Sequence, residues 1–135
     1  MYKYAIAAVV GISACGLSVA AEEFASPKEA EAVVAKAVKA IAADRAGTYK
    51  SITAKDKQWV DRDLYPVVYD MNGKCVAHGQ NEKMVGKGLI SIADADGKEF
   101  IKERVALAAS KGKFWQDYKF TDPVTRKVLP KSAYC

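Results

Sequence analysis

The stretch that decides the fold is DLYPVVYDMNGKCVAHG, residues 63–79. Two apolar segments, 64–70 and 75–78, flank the pair Asn72-Gly73, and the first of them is rich in β-branched and aromatic side chains. An Asn-Gly pair between two such segments is typical of a β-hairpin, because both residues tolerate a positive φ. The stretch therefore predicts two antiparallel strands joined by a tight turn.

A long helix is predicted before this hairpin. Ser26 is suited to cap a helix, Pro27 is tolerated at the first helical position, and Glu29 completes a capping box with Ser26. Apolar residues then recur at a spacing of three and four, at Ala30, Val33, Val34, Ala37, Val38 and Ile41. This pattern predicts an amphipathic helix that ends near Gly47, followed by a short helical turn over residues 48–54.

The remaining elements follow the hairpin. Residues 79–97 contain several glycines and form a long connection, and loops of that length inside a compact domain are commonly functional. The pattern then predicts an inner helix over 98–110, a strand over 114–120 and a returning strand over 126–135. The chain is predicted to be an α+β domain with a mostly antiparallel sheet, a long N-terminal helix and one inner helix.

The composition narrows the classes of function. The 135 residues, 50% hydrophobic and 27% charged, are typical of one globular domain. The net charge is +5, but acidic and basic residues alternate, so we predict a solvated surface and no nucleic-acid partner. The single histidine excludes a His–His zinc site within one chain. Because no nucleophile motif or metal-ligand spacing is present either, we predict no enzyme, no metal and no cofactor.

The first 20 residues have the features of a secretory signal peptide. A short basic start precedes an apolar run of about 13 residues and the small-x-small pattern Ser18-Val19-Ala20. The run is shorter than the about 20 residues of a membrane-spanning helix. We predict cleavage near Ala20, a single domain over 21–135, no membrane span after cleavage and a periplasmic or secreted location. A less favoured alternative is a lipobox that would place a lipid on Cys15.

Cleavage of the signal would leave two cysteines, Cys75 and Cys135, in an oxidising compartment. A Cys75–Cys135 disulfide is permitted there, and the chain-entropy model gives a bond of this loop length about 4 kcal/mol of stabilisation.

Several segments together resemble the single Cache domain of type 2, a PAS-like extracytoplasmic sensing fold of bacteria. The segments are DLYPVVYDMNGKCVAHG at 63–79, MVGKGL at 84–89, DADGKEFIKE at 94–103 and GKFWQDYKFTDPVTRKVLPKSAYC at 112–135. Members of the family continue with one more strand, which lies centrally beside the first. The resemblance therefore implies a domain without its C-terminal strand, in which the two hairpins are separated. It also leaves open that the missing strand carries the partner of Cys135.

The resemblance further implies a small-molecule pocket beside the long connection. The residues that it places there are Tyr65, Tyr69, His78, Trp115, Tyr118, Lys131 and Tyr134. A lysine ammonium near aromatic walls is a suitable partner for a small carboxylate. Core packing remains the alternative for the aromatic residues, and a surface position on an edge strand remains the alternative for Lys131. Strand alternation also separates Trp115 from Tyr118, so both face the pocket only if the strand bulges.

We expect a module that binds a small organic ligand, namely a short carboxylate, and that passes the signal to a partner protein or to sequence beyond Cys135. The alternative is a ligand-free structural or protein-interaction module with the same fold. A small hydrolase that uses His78 is a third hypothesis, the least favoured because no nucleophile–base pair is indicated.

Overall fold

The computed structural model describes residues 24–122 and 124–135. Two consecutive helices open this part of the chain, α1 (Pro27–Ala43) and α2 (Arg45–Thr53). The predicted helix and the helical segment after it are therefore confirmed, but the division between them lies at Asp44 and not near Gly47.

Local capping explains both the start and the division of the helices. The predicted capping box is present, because the Ser26 hydroxyl accepts the Glu29 N–H and the Glu29 carboxylate accepts the Ser26 N–H. Asp44 has an extended backbone that ends α1, and its carboxylate accepts the Gly47 N–H at 3.0 Å in the first turn of α2. An aspartate in this position starts a new helix as an N-cap, so Gly47 lies inside α2 and does not end α1.

The predicted first hairpin is confirmed as strands β1 (Val67–Tyr69) and β2 (Cys75–His78), paired antiparallel. In the turn, Gly73 has a φ of +82°, and the Asp70 carboxylate accepts the N–H groups of Asn72 and Lys74, both at 2.9 Å. Strand β1 is shorter than predicted because residues 61–64 close a turn of their own by two reciprocal backbone hydrogen bonds.

The long connection after β2 is ordered by contacts with β2 and continues into α3. It contains a 3₁₀ helix (Glu82–Met84) and then lies along the edge of β2, where the Cys75 N–H donates to the Lys87 carbonyl at 3.0 Å. The Cys75 carbonyl accepts the Gly86 N–H at 2.8 Å. The connection leads into the predicted inner helix, α3 (Phe100–Lys111).

The second hairpin consists of β3 (Trp115–Thr121) and β4 (Val128–Tyr134), which pair antiparallel without a bulge. Within the described residues β1 and β2 form one two-stranded sheet, and β3 and β4 form another. The architecture is the predicted α+β arrangement, and the two hairpins are separated as the resemblance implies.

Two clusters of buried side chains hold these layers together. Ala37, Ile52, Trp59 and Ala77 join α1 and α2 to the first hairpin, and Cys75, Leu89, Phe100 and Ile101 join the hairpin to the connection and α3. Helices α1 and α2 therefore pack on one side of the first hairpin and α3 packs on its other side. This arrangement leaves a groove of about 340 Å³ whose lining includes residues of α1, β1, α3, β3 and β4.

The predicted Cys75–Cys135 disulfide is not formed, and this expectation is corrected here. Both cysteines are free thiols, Cys75 fully buried and Cys135 half-buried. Cys75 packs against α3 in the first hairpin, whereas Cys135 extends the second hairpin by reciprocal backbone hydrogen bonds to Phe114 at 2.9 and 3.0 Å. Burial raises the pKa of the Cys75 thiol to about 11, so it is protonated at neutral pH.

No described helix combines the length and the apolar character needed to cross a membrane. The predicted signal peptide over 1–20, including Cys15, lies outside the residues that the structure describes.

Candidate functional site

A small cavity lies where the first hairpin, the long connection, α3 and β3 meet. It has a volume of about 20 Å³, and its lining consists of Tyr65, Val67, Tyr69, His78, Met84, Ile92, Phe100, Arg104, Tyr118 and Phe120. A cavity of this size holds about one water molecule. Of the predicted site residues, Tyr65, Tyr69, His78 and Tyr118 are brought together here.

His78, at the end of β2, is held in one protonation state by its surroundings. It is 3% exposed, and its Nδ1 accepts the N–H groups of Gln80 at 3.1 Å and Asn81 at 2.9 Å. Burial, assisted by the positive charge of Lys55, lowers the pKa of the imidazole to about 4. The ring is therefore neutral at physiological pH, and because Nδ1 accepts, Nε2 carries the proton and is a donor.

Two tyrosines of the cavity, Tyr65 and Tyr69, are neutral as well. Tyr65 stacks on His78 with ring centroids 5.6 Å apart, and Tyr118 stacks on Phe100 at 4.9 Å. Burial raises the pKa of Tyr65 and of Tyr69 above the usual range of a phenol. These hydroxyl groups keep their protons at neutral pH and can donate to an acceptor on a ligand.

Arg104 is a cavity residue that the sequence analysis missed. Its guanidinium lies over three rings, with Cζ 5.1 Å from the centroid of Tyr118, 5.6 Å from Phe100 and 5.7 Å from Tyr69. Its Nη2 nitrogen is buried and has no hydrogen-bond partner. A signal was available: Arg104 follows Phe100 by four residues, so it occupies the inner stripe of α3 that is otherwise apolar.

Gln116 of β3 holds this guanidinium. The Gln116 side chain is 2% exposed, and its Oε1 accepts the Arg104 Nε–H at 2.8 Å. Its Nε2 donates to the Phe100 carbonyl at 2.8 Å and to the Glu103 carboxylate at 2.9 Å. Arg104 is thus fixed by a neutral amide, and within the described part of the chain it forms no ion pair. Its positive charge is left for another partner.

Lys131, the cation that the resemblance places in the pocket, is differently situated. Its side chain is 13% exposed; the ammonium donates to the Asp122 carboxylate and lies 3.7 Å from the Asp63 carboxylate. Burial alone would raise the pKa of the Asp122 carboxyl, but the Lys131 ammonium and the Thr125 N–H hold it below its usual range. Lys131 therefore has two carboxylate partners from its own chain, and it lines the larger groove.

Trp115 and Tyr134 also line the groove and not the small cavity. They face each other across the β3–β4 pair, with ring centroids 5.2 Å apart, and Trp115 is 39% exposed. Since the strand has no bulge, the alternation that separates Trp115 from Tyr118 holds. Trp115 and Tyr118 both line the groove, but only Tyr118 also lines the small cavity.

The small cavity and the groove share one wall. It is formed by Tyr65, Val67, Tyr69, Arg104 and Tyr118, which line both spaces. The rest of the groove is lined mainly by apolar side chains of α1 and α3, such as Val34, Ile41 and Val105. Among the described residues, the Nη2 of Arg104 is the buried side-chain nitrogen without a partner, and Arg104 belongs to this shared wall.

The fold has counterparts among known proteins. The structure is similar to a methyl-accepting chemotaxis protein from Vibrio parahaemolyticus RIMD 2210633, with a TM-score of 0.65 and 22% identity over 78% of this chain and 74% of that chain. It is similar to a Cache chemosensory domain whose structure concerns carboxylic acid recognition, with a TM-score of 0.60 and 24% identity over 79% and 76% of the two chains. A periplasmic sensor domain of a chemotaxis protein is similar at a TM-score of 0.58 and 21% identity, over 79% and 77%.

No curated protein matches the chain. The family model described as Single Cache domain 2 matches residues 18–135, which include every element of the fold. The chain belongs to the single Cache domain 2 family.

Proposed function

We propose that this chain is an extracytoplasmic sensory module that binds a short organic carboxylate in the small cavity. Cache domains of chemotaxis receptors bind small molecules and are sensory rather than catalytic. The observation that carries the proposal is the buried Nη2 of Arg104, a cationic donor without a partner. A buried donor left unpaired destabilises the protein, and a ligand carboxylate would satisfy both its hydrogen bond and its charge.

The other polar groups of the cavity favour the same class of ligand. His78 offers an Nε2–H, and the phenols of Tyr65 and Tyr69 retain their protons. A cavity walled by donors and one cation suits a ligand that accepts hydrogen bonds, and a carboxylate only accepts. An amine would instead face Arg104 with its own positive charge. The similarity to a domain described for carboxylic acid recognition supports this class.

Binding requires the cavity to widen. The present volume of about 20 Å³ has room for about one water molecule. Met84 and Ile92 belong to the connection and form the side of the cavity that is not built on a strand or on α3. We expect these side chains to move outward when a carboxylate enters, so that short aliphatic acids bind and bulky ones do not.

The proposed location is the periplasm or the exterior. The N-terminal signal pattern predicts export, and the similar structures include a periplasmic sensor domain. Binding would be transmitted to a signalling partner protein.

Matched pairs of acids and amides test the proposal. Acetate, propionate and butyrate are compared with acetamide, propionamide and butyramide by thermal shift and calorimetry on the purified protein. Each pair has similar shape and differs in charge, so we expect the acids to raise the melting temperature and the amides to have little effect. Arg104→Met should weaken binding of the best acid by about 30-fold, because a hydrogen bond to a charged group is lost. Equal responses to acids and amides in folded protein would contradict the proposal.

One observation favours a second candidate function, the ligand-free structural or interaction module. The cavity of about 20 Å³ is too small for an organic ligand unless it opens. A folded protein that responds to none of these compounds, nor to amino acids or amines, would support this candidate.

The resemblance also implies that Trp115, Lys131 and Tyr134 contact a ligand, and this stays a prediction. These three residues line the groove, so such contact would require the ligand to lie there and not in the small cavity. Trp115→Ala and Tyr134→Phe should leave the affinity for the acid unchanged if the ligand occupies the small cavity. A large loss in either variant would place the ligand in the groove.

A further inference from the structure

We propose that Gln116 sets the preference of this site for anions, by fixing Arg104 without neutralising it. This inference rests on the proposed function, because it concerns the same cavity. Gln116 would act through Arg104 as a positioning residue and would not itself contact the ligand.

The geometry makes Gln116 a fixed support. Both N–H groups of its amide are used, one by the Phe100 carbonyl at 2.8 Å and the other by the Glu103 carboxylate at 2.9 Å. These two bonds orient the amide so that Oε1 accepts the Arg104 Nε–H at 2.8 Å. A planar guanidinium held at Nε, with its face covered by the rings of Tyr69, Phe100 and Tyr118, has little rotational freedom. Its Nη2 is thereby held in one position.

The neutrality of Gln116 matters as much as its position. Proteins commonly pair a buried arginine with a carboxylate, and a glutamate at this place would form an internal ion pair. The nearest acidic side chain along the network is Glu103, which bonds to the Gln116 amide and to Lys98, with Lys98 Nζ 3.2 Å from its carboxylate. The Glu103 carboxylate is thus linked to the Arg104 guanidinium only through the Gln116 amide, which lies between the two charged groups.

The test measures a ratio of two affinities. The ratio of the affinity for propionate to that for propionamide reports how much of the Arg104 charge is available to a ligand. A purely structural defect lowers both affinities together and leaves this ratio unchanged. We expect Gln116→Glu to lower the ratio by about 30-fold, since the new carboxylate neutralises Arg104. We expect Gln116→Leu to weaken both ligands and to keep the ratio within about threefold of the wild type.

A charge-swapped variant controls for folding and for net charge. Gln116→Glu alone places two carboxylates next to each other, and this repulsion is removed by adding Glu103→Gln. The double variant has the same net charge as the wild type but moves the carboxylate into contact with Arg104. We expect it to lose the preference for propionate, whereas Glu103→Gln alone retains it.

The outcomes separate this inference from the proposed function. A wild type without preference for propionate would overturn both. A wild type that prefers propionate, together with a folded charge-swapped variant of equal preference, would overturn the role of Gln116 only. An equal loss of affinity for propionate and propionamide in every Gln116 variant, with an unchanged ratio, would also overturn the role of Gln116.

Discussion

Two half-buried cations of this domain have opposite environments. Lys131, beside the groove, is matched by Asp122 and Asp63. Arg104, beside the small cavity, has aromatic rings, one neutral amide and an Nη2 without a partner. Arg104 lines the groove as well as the small cavity, so the difference lies between the two cations and not between the two spaces. It shows that two cations of one domain can differ in whether the chain itself supplies their counter-charge.

The largest expected effect is the loss of folding stability when Lys131 is replaced. Lys131→Met would leave the fully buried Asp122 without its ammonium partner, and breaking a buried pair in this way costs about 3–5 kcal/mol. Urea denaturation measures this loss. The matched control is Lys119→Met, which removes an exposed pair with Asp96 and should cost less than about 1 kcal/mol. Similar midpoints for the two variants would show that Lys131 is not held as described.

The next effect concerns the neutral histidine. His78 has a folded-state pKa of about 4 against 6.5 for the free side chain, so the unfolded chain binds more protons between these values. The contribution of His78 to stability is complete above pH 6.5 and is lost as the pH falls towards 4, and it amounts to about 3 kcal/mol in all.

The variant His78→Asn isolates this contribution, because its amide oxygen can replace Nδ1 as an acceptor and does not titrate. Between pH 7.5 and 5 the wild type should lose about 2 kcal/mol relative to this variant. Parallel stability curves over that range would mean that the imidazole is not buried in its neutral form.

The smallest expected effect is the change in ligand affinity when one tyrosine hydroxyl is removed, either from Tyr118 or from Tyr134. Tyr118 lines both spaces, whereas Tyr134 lines only the groove. Tyr118→Phe should weaken binding of the acid by about threefold to tenfold, the range expected for one neutral hydrogen bond. Tyr134→Phe should leave the affinity unchanged. The reverse order, measured by calorimetry, would move the ligand into the groove.

The parts of the fold that were predictable depend on local interactions. The capping box at Ser26 and the Asn72-Gly73 turn involve residues a few positions apart, and the alternation in β3 follows from strand geometry alone. The division between the two helices was predicted near Gly47 and lies at Asp44, because glycine commonly ends a helix but an aspartate can also start one.

The candidate site was predicted less completely, because its chemistry depends on contacts between distant segments. The resemblance implies one pocket for seven residues, of which Tyr65, Tyr69, His78 and Tyr118 lie at the small cavity, and contact of all seven with a ligand stays a prediction. The pairing of Lys131 with Asp63 joins residues far apart in the chain, and no local pattern indicates it. Arg104 carried a signal in its position on α3, but only the packing reveals that Gln116 is its support.

The most direct test of the central claim is a crystal structure of the protein with the tightest-binding short carboxylate. The account predicts density for the acid in a widened small cavity, with one carboxylate oxygen within about 3.2 Å of Arg104 Nη2 and Met84 and Ile92 displaced. Density for the acid in the groove, against Lys131 or Trp115 and with Arg104 Nη2 still unpaired, would contradict it.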